Sequence, residues 1–291
     1  MQVKSLIFYL IFLLIFLCSS AQTNELKVMT FNIRYDNPSD NEYSWNNRKE
    51  MVFAVLQNYK PDIICLQEAL KRQVDQIQEY LTRYKCSGVG RDDGKDAGEF
   101  SALFYDSVRF TRQGGSTFWL SETPDIPGSR SWNAACTRIV TWVKLFDKKE
   151  NRYLLVFNTH FDHISELARI ESARLLLTKI KEIAGRETVI LTGDFNATYT
   201  SATYNILTGH DSVFPMNDTR KLAGKNSDGP PYSFIGFPSN PEKDEIIDFI
   251  FISRNSDLRI IKNSIIDFHM KDKYPSDHLP VMTQFEYNSK K

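Results

Sequence analysis

The residues able to do chemistry in this sequence sit where its apolar runs end. DIICLQE closes on Glu68, YLLVFNTH closes on His160, and VILTGDFNA delivers Asp194 and Asn196. KYPSDHLP sets Asp277 beside His278 just ahead of a last apolar run, and EIIDFIFIS encloses Asp248 between Ile247 and Phe249. In MTFNIRY, Asn32 and Arg34 alternate with Phe31 and Ile33, so an extended backbone turns both to one face. Carboxylates brought together about 4 Å apart repel by roughly 4 kcal/mol at an effective dielectric near 20, so a cation must compensate. Carboxylate and amide oxygens without cysteine select a hard ion, Mg2+ or Mn2+. Mg2+ keeps several waters and takes few protein carboxylates, which suits a site that also holds phosphate.

Each residue also has an ordinary structural reading. Asp194 and Asn196 can form the turn after a strand, Glu68 can sit at the positive end of a following helix, and His160 can be a bonded interior histidine. Asp277 can orient His278 within a loop. Asp248 is the hardest to excuse, because a carboxylate flanked by isoleucine and phenylalanine loses its solvation unless a buried partner such as a histidine meets it. Arg34 reads as a phosphate contact or a surface ion pair, while Asp162 and His163 in NTHFDH read first as the opening of a helix. Arg91, Glu99 and Arg138 carry a weaker signal. Trp45, Trp119 and Trp132 are predicted in loops, where they stack a ligand or pack. The run Asp92 to Asp96, DDGKD, lacks the glycine and glutamate positions of a calcium loop.

The elements that must position these groups follow from periodicity. Strands are predicted over 27–35, 62–68, 99–106, 135–147, 153–162, 188–196, 245–253, 258–267 and 280–287. A helix is predicted over Ser165 to Ala184, where Leu167, Ile170, Ala173, Leu177, Ile180 and Ala184 recur at three and four, with Ser165 and Gly185 as its caps. Asn47 to Tyr59 reads as a second helix, and Val74, Ile77, Leu81 and Tyr84 mark a third. Many strands with few helices imply a four-layer αββα sandwich, an α/β fold of two packed, mostly antiparallel sheets with helices outside.

The chain has 36 basic and 36 acidic residues, so it lacks the positive field that carries sequence-blind duplex binding. Lys4, the apolar run Leu6 to Leu17 and the small residues Ser19 and Ala21 read as a secretory signal over 1–21, leaving a single domain at 22–291. That implies export to the periplasm or medium, with lipid attachment at Cys18 the lesser alternative and no membrane span after cleavage. Cys65, Cys86 and Cys136 then remain, an odd number without metal spacing, and Cys65 reads as core.

Taken in order, MTFNIRYD, CLQE, NTHFDH, GDFNA, IDFIF and SDHLP resemble the endonuclease/exonuclease/phosphatase superfamily with the DNase I-like fold, over essentially the whole mature chain. Further segments, including SWNNR and RDDGKDAGEFSALFYD, look like secreted bacterial members nearer the CCR4/nocturnin branch. The resemblance implies Glu68 as principal metal ligand, with Asn32 and Asp277 holding the ion or its waters. It implies that Asp194 orients and deprotonates the attacking water, that Asn196 binds a phosphate oxygen, and that His278, bonded to Asp248, stabilises the phosphate. It sets His160 near the leaving group, and Arg34 and Arg138 join as substrate contacts. The implied activity is Mg2+-dependent hydrolysis of a phosphate ester, a phosphodiester first, with monoester or lipid head-group hydrolysis or a silent binding scaffold as alternatives. The substrate, whether nucleic acid, nucleotide or lipid head group, stays open.

Overall fold

The computed structural model describes residues 25–237 and 245–288, and the secretory signal read over 1–21 lies outside them. β1 (Glu25–Asn32), α1 (Trp45–Tyr59) and β2 (Ile63–Gln67) form a crossover that leaves β1 and β2 parallel. Next come α2 (Lys71–Tyr80), β3 (Tyr84–Ser87), β4 (Leu103–Asp106) and β5 (Phe110–Trp119). β6 (Ile139–Asp147) leads to a second parallel crossover, β7 (Arg152–His160), α3 (Glu166–Ala184) and β8 (Thr188–Asp194). The chain continues through α4 (Ala202–Thr208), β9 (Met216–Asp218), α5 (Thr219–Ala223) and β10 (Ser227–Asp228) to β11 (Asp248–Ser253), β12 (Leu258–Ile265) and β13 (Val281–Tyr287).

These strands make one seven-stranded sheet, β10-β12-β13-β1-β2-β4-β3, and one six-stranded sheet, β5-β6-β7-β8-β11-β9. The predicted sandwich of mixed, mostly antiparallel sheets is therefore the observed fold. Strand alternation explains the layering: Leu26, Val28, Ile63 and Cys65 pack into the core shared with Leu155, Phe157, Val189 and Leu191. Met29, Phe31, Ile64 and Leu66 point the other way, onto Val52, Val55 and Leu56 of α1 and Val74 and Ile77 of α2. A central strand covered on both faces must be apolar throughout, which is why β1 and β2 read as continuous runs. No helix of the described residues is long and apolar enough to cross a membrane.

Several boundaries differ from the sequence reading for physical reasons. The strand predicted from 135 starts at Ile139, because the N–H groups of Ala135 and Cys136 donate to Asp162 Oδ2 (2.8 and 3.2 Å) rather than to a ladder. β5 was not foreseen; its Gly114–Gly115 pair hides a strand that carries a bulge between Arg112 and Gly114. In α3, Ser165 caps as predicted, its Oγ accepting from Ala168 N at 3.1 Å, yet Leu167 is exposed and the buried stripe is Ala168, Ser172, Ala173, Leu176, Leu177 and Ile180. Trp45 is fully buried as the first residue of α1, with Nε1 donating to Gln76 Oε1 (2.7 Å), and Trp119 is buried at the end of β5. Neither offers the stacking surface expected of a loop tryptophan.

The topology sets the site. β1 and β2 end at the same edge because they are parallel, as do β7 and β8, where His160 pairs in register with Asp194. β11 and β13 run antiparallel to β8 and β1, so their starts lie at that edge too, with Asp248 opposite Asp194.

Candidate active site

Asn32 lies at the centre of the edge where the two sheets meet. Its Nδ2 donates to Glu68 Oε1 and to Asp194 Oδ2, both at 3.0 Å, and lies 3.4 Å from His278 Nε2. Its Oδ1 accepts from the Arg34 backbone N–H at 3.0 Å. The amide therefore holds two carboxylates in fixed relation through its nitrogen, one from each sheet.

Three residues at the ends of these strands adopt left-handed backbone: Arg34 (φ 55), Glu68 (φ 61) and Asn196 (φ 47). For a non-glycine residue this region is uncommon and strained. Here it turns each side chain back over the sheet edge immediately after its strand. Asn196 N–H then donates to Asp194 Oδ1 (3.0 Å), and Asn196 Nδ2 donates to Phe161 O (3.0 Å) and His160 Nε2 (3.1 Å). His160 Nε2 also lies 3.5 Å from Asp194 Oδ2, and its Nδ1 faces Glu99 Oε2 at 3.9 Å.

The buried aspartate finds the partner expected of it. Asp248 Oδ2 receives His278 Nδ1 at 2.9 Å and Ser233 Oγ at 2.7 Å, while His278 Nε2 points to Asp194 Oδ2 at 3.6 Å. Burial disfavours the imidazolium, but the charges of Asp248 and Asp194 more than offset it and hold His278 up at about 10. Burial first, then the negative charge of Asp248, pushes Asp194 up to about 7, against the His278 charge and the bonds from Asn32 and Asn196. His160 is driven well below its ordinary value by burial and by Arg138 and Arg91, so it stays neutral. The site thus pairs one charged and one neutral histidine around a carboxylate poised as a base.

Glu68 and Asp277, on the same cleft, offer carboxylate oxygens of the kind a hard cation takes. Asp277 Oδ1 accepts from Ser276 Oγ at 3.2 Å, and burial raises its carboxyl along with the neighbouring Glu68 charge, against His278. Asp194, Asp248 and His278 also bring ligand atoms within 4.8 Å of one another, all buried. That cluster is a poor cation site, because a protonated imidazole has no free lone pair and the ring already bridges the two carboxylates.

The remaining candidates surround one open cleft of about 730 Å3, lined by Arg34, Glu68, Arg91, Arg138, His160 and Asp194 among others. Arg138 is buried, with Nη2 on His163 Nδ1 (2.9 Å) and with Nε and Nη1 lacking a hydrogen-bond partner. Arg91 pairs with Glu99 at 2.6 Å. Asp162 lies behind the cleft: besides pinning residues 135 and 136, its Oδ1 accepts from Ile164 and Ser165 N–H (3.0 and 2.7 Å), the helix-opening role read for it. Asp93 likewise bonds Lys95 and Ala97 N–H groups (2.8 and 3.0 Å) within its own loop. Cys65 is core, and the cysteines of the described residues are free.

Sequence reading missed Arg48. Fully enclosed on α1, it donates to the carbonyls of Ile33, of Arg34 (2.6 Å), Tyr43 (2.9 Å) and Pro275 (3.0 Å), so it joins the segment after β1 to the loop before Asp277. Burial lowers it to about 10, and it remains charged near neutrality. Its position three after Trp45 and four before Val52, on the apolar face of α1, was the available signal. Arg48→Met is expected to cost about 3 kcal/mol by leaving several carbonyls unmet. Denaturant unfolding checks this, and a change below about 1 kcal/mol would show that water replaces the guanidinium.

The sequence profile of the Endonuclease/Exonuclease/phosphatase family matches residues 29–278. A crystal structure of the endonuclease/exonuclease/phosphatase from Bacteroides vulgatus is 39% identical, covers 91% of this chain and 99% of its own, and superposes with a TM-score of 0.85. The mannosyl-6-phosphatase Bt3783 of Bacteroides thetaiotaomicron is 33% identical, covering 90% of this chain and 100% of its own with a TM-score of 0.81. Nocturnin of Rattus norvegicus is 26% identical over 84% of this chain, which spans 59% of that relative's length. From Met29 within β1 to His278 the chain follows one pattern, and it belongs to the endonuclease/exonuclease/phosphatase family of metal-dependent phosphoester hydrolases.

Proposed function

We propose that this protein uses Mg2+, with Mn2+ as a competent replacement, to hydrolyse a phosphomonoester carried on a sugar. The observation that carries this reading is the gathering of His278, Arg138 and the Glu68 and Asp277 carboxylates along one cleft. His278, held charged beside Asp248 and Asp194, and Arg138, whose Nε lies 3.8 Å from Asp162 Oδ2, line the same cleft as Glu68 and Asp277. A monoester dianion needs that concentration of charge, whereas a nucleic-acid strand needs a basic track along the surface, which a chain of zero formal charge does not favour. Likeness over the full length of a mannosyl-6-phosphatase supports the sugar, and the phosphodiester first inferred from the sequence becomes the competing outcome.

Glu68 and Asp277 would hold the ion, which when bound supplies positive charge to a phosphate oxygen. Asn32 fixes Glu68 relative to Asp194. Asp194 accepts the proton of the attacking water, and its placement at about 7 suits a base working near neutrality. His278 and Arg138 bind the non-bridging oxygens, Asn196 orients one of them, and His160 stands beside the leaving group. Export, read from residues 4–21, would place this chemistry outside the cytoplasm.

Release of phosphate from mannose 6-phosphate and cleavage of bis(p-nitrophenyl) phosphate, each with Mg2+ or EDTA, test the reading. Monoester turnover abolished by EDTA is expected, and Glu68→Gln should shift half-activation to at least tenfold higher Mg2+. Metal-dependent diester cleavage without monoester turnover would overturn the monoester assignment, and activity indifferent to EDTA would overturn the metal.

A further inference from the structure

Arg34 stands among the carboxylates that suit the cation. Its Nε and Nη2 form a fork onto Asp40, both at 3.0 Å. On its other sides, Nη1 lies 3.9 Å from Glu68 Oε2 and Nε lies 3.9 Å from Asp277 Oδ2. The backbone is equally constrained: the N–H is held by Asn32 Oδ1, and the carbonyl receives Arg48 Nη2 at 2.6 Å and Gln73 Nε2 at 2.9 Å. The backbone anchors the root of the side chain, and the two-bond fork to Asp40 holds the guanidinium beside both carboxylates. At 3.9 Å it is too far to occupy the carboxylate lone pairs by hydrogen bonding, yet close enough for its charge to act on them.

We propose that Arg34 is a built-in counter-cation that shares Glu68 and Asp277 with the divalent ion and so weakens its binding, and that Asp40 restrains it. This rests on the reading of Glu68 and Asp277 as the ion's ligands. Arg34 lowers the repulsion between the two carboxylates when no ion is bound and repels the ion when it binds. Asp40 neutralises part of that repulsion. Arg34 and Asp40 are thus positioning residues with opposed effects on one quantity. A merely structural pair would behave otherwise, because losing either member would disorder the same loop and weaken binding in both cases.

The test is direct Mn2+ binding to the folded protein, read from the loss of the free-ion electron paramagnetic resonance signal, for wild type, R34Q and D40N. The Mn2+ dissociation constant is expected to fall about tenfold in R34Q and to rise severalfold in D40N, the range over which groups next to metal ligands act. Unchanged or weaker binding in R34Q overturns the inference while leaving the metal reading intact. Absence of Mn2+ binding by wild type overturns both. Should R34Q fold poorly, R34M removes the same charge and takes its place with the same expected and contradicting outcomes, while equal or tighter binding in D40N contradicts the restraining role.

Discussion

His278→Ala is expected to lower turnover about 10^3-fold and to unfold roughly 6–12 °C below wild type. The two losses have one origin. On the proposed function the ring would supply charge to the phosphate through Nε2, and it neutralises Asp248 through Nδ1 at 2.9 Å. Without it, Asp248 remains in a strand whose neighbours are buried and keeps Ser233 as its side-chain partner on Oδ2, its Oδ1 having none. Breaking a buried charge pair from one side costs about 3 kcal/mol or more. Adding Asp248→Asn to His278→Ala removes the stranded charge, so the double variant should recover much of the thermal stability and none of the rate. Calorimetric unfolding beside a phosphate-release assay separates the two effects, and an unfolding temperature within about 1 °C of wild type for His278→Ala would contradict the account of Asp248.

The second large effect lies below the site, where Asn158 joins the sheets. Its Nδ2 donates to the carbonyls of Leu66 (2.8 Å) and Ala102 (2.9 Å) on the opposite sheet, and its Oδ1 accepts from Gln67 Nε2 (2.6 Å) and Thr192 Oγ1 (3.4 Å). Leucine keeps the branched heavy-atom outline, with added bulk, but removes every one of these bonds in a place without solvent. Gln67 already has an unpartnered Oε1, so the network has no reserve. Asn158→Leu is expected to cost about 3 kcal/mol, read as a lower guanidinium midpoint with an unchanged slope. Because Gln67 precedes Glu68, Mn2+ binding should weaken as well. A midpoint equal to wild type would mean that the sheets are registered by apolar packing alone.

Legibility differed by kind of residue. Glu68, His160 and Asp194 could be found because each interrupts or ends an apolar run, and a parallel sheet places such ends together. Asp248 was legible as a problem, a charge among isoleucines, before its solution was known. Asn158 and Gln67 lay inside the same motifs and went unread, since a polar residue one or two places before a strand end looks like part of the turn. Arg48 was hidden for the opposite reason: its partners are carbonyls from two distant segments, and carbonyls leave no mark in a sequence. β5 escaped because its glycines weaken the strand pattern that the neighbouring β6 supplies by pairing. The amide orientation of Asn32, which presents nitrogen rather than oxygen to Glu68 and Asp194, is a matter of geometry that residue type alone does not fix.

The left-handed backbone at Arg34, Glu68 and Asn196 sets durability against purpose in this protein. Glycine would enter those conformations without steric penalty, and each of the present residues instead carries a strain of about 1 kcal/mol. A chain selected for thermal endurance alone would therefore drift toward glycine at all three positions and would discard its acidic and amide groups as it hardened. At the rim of the sheets the chain thus carries backbone strain on the very residues whose side chains line the candidate site.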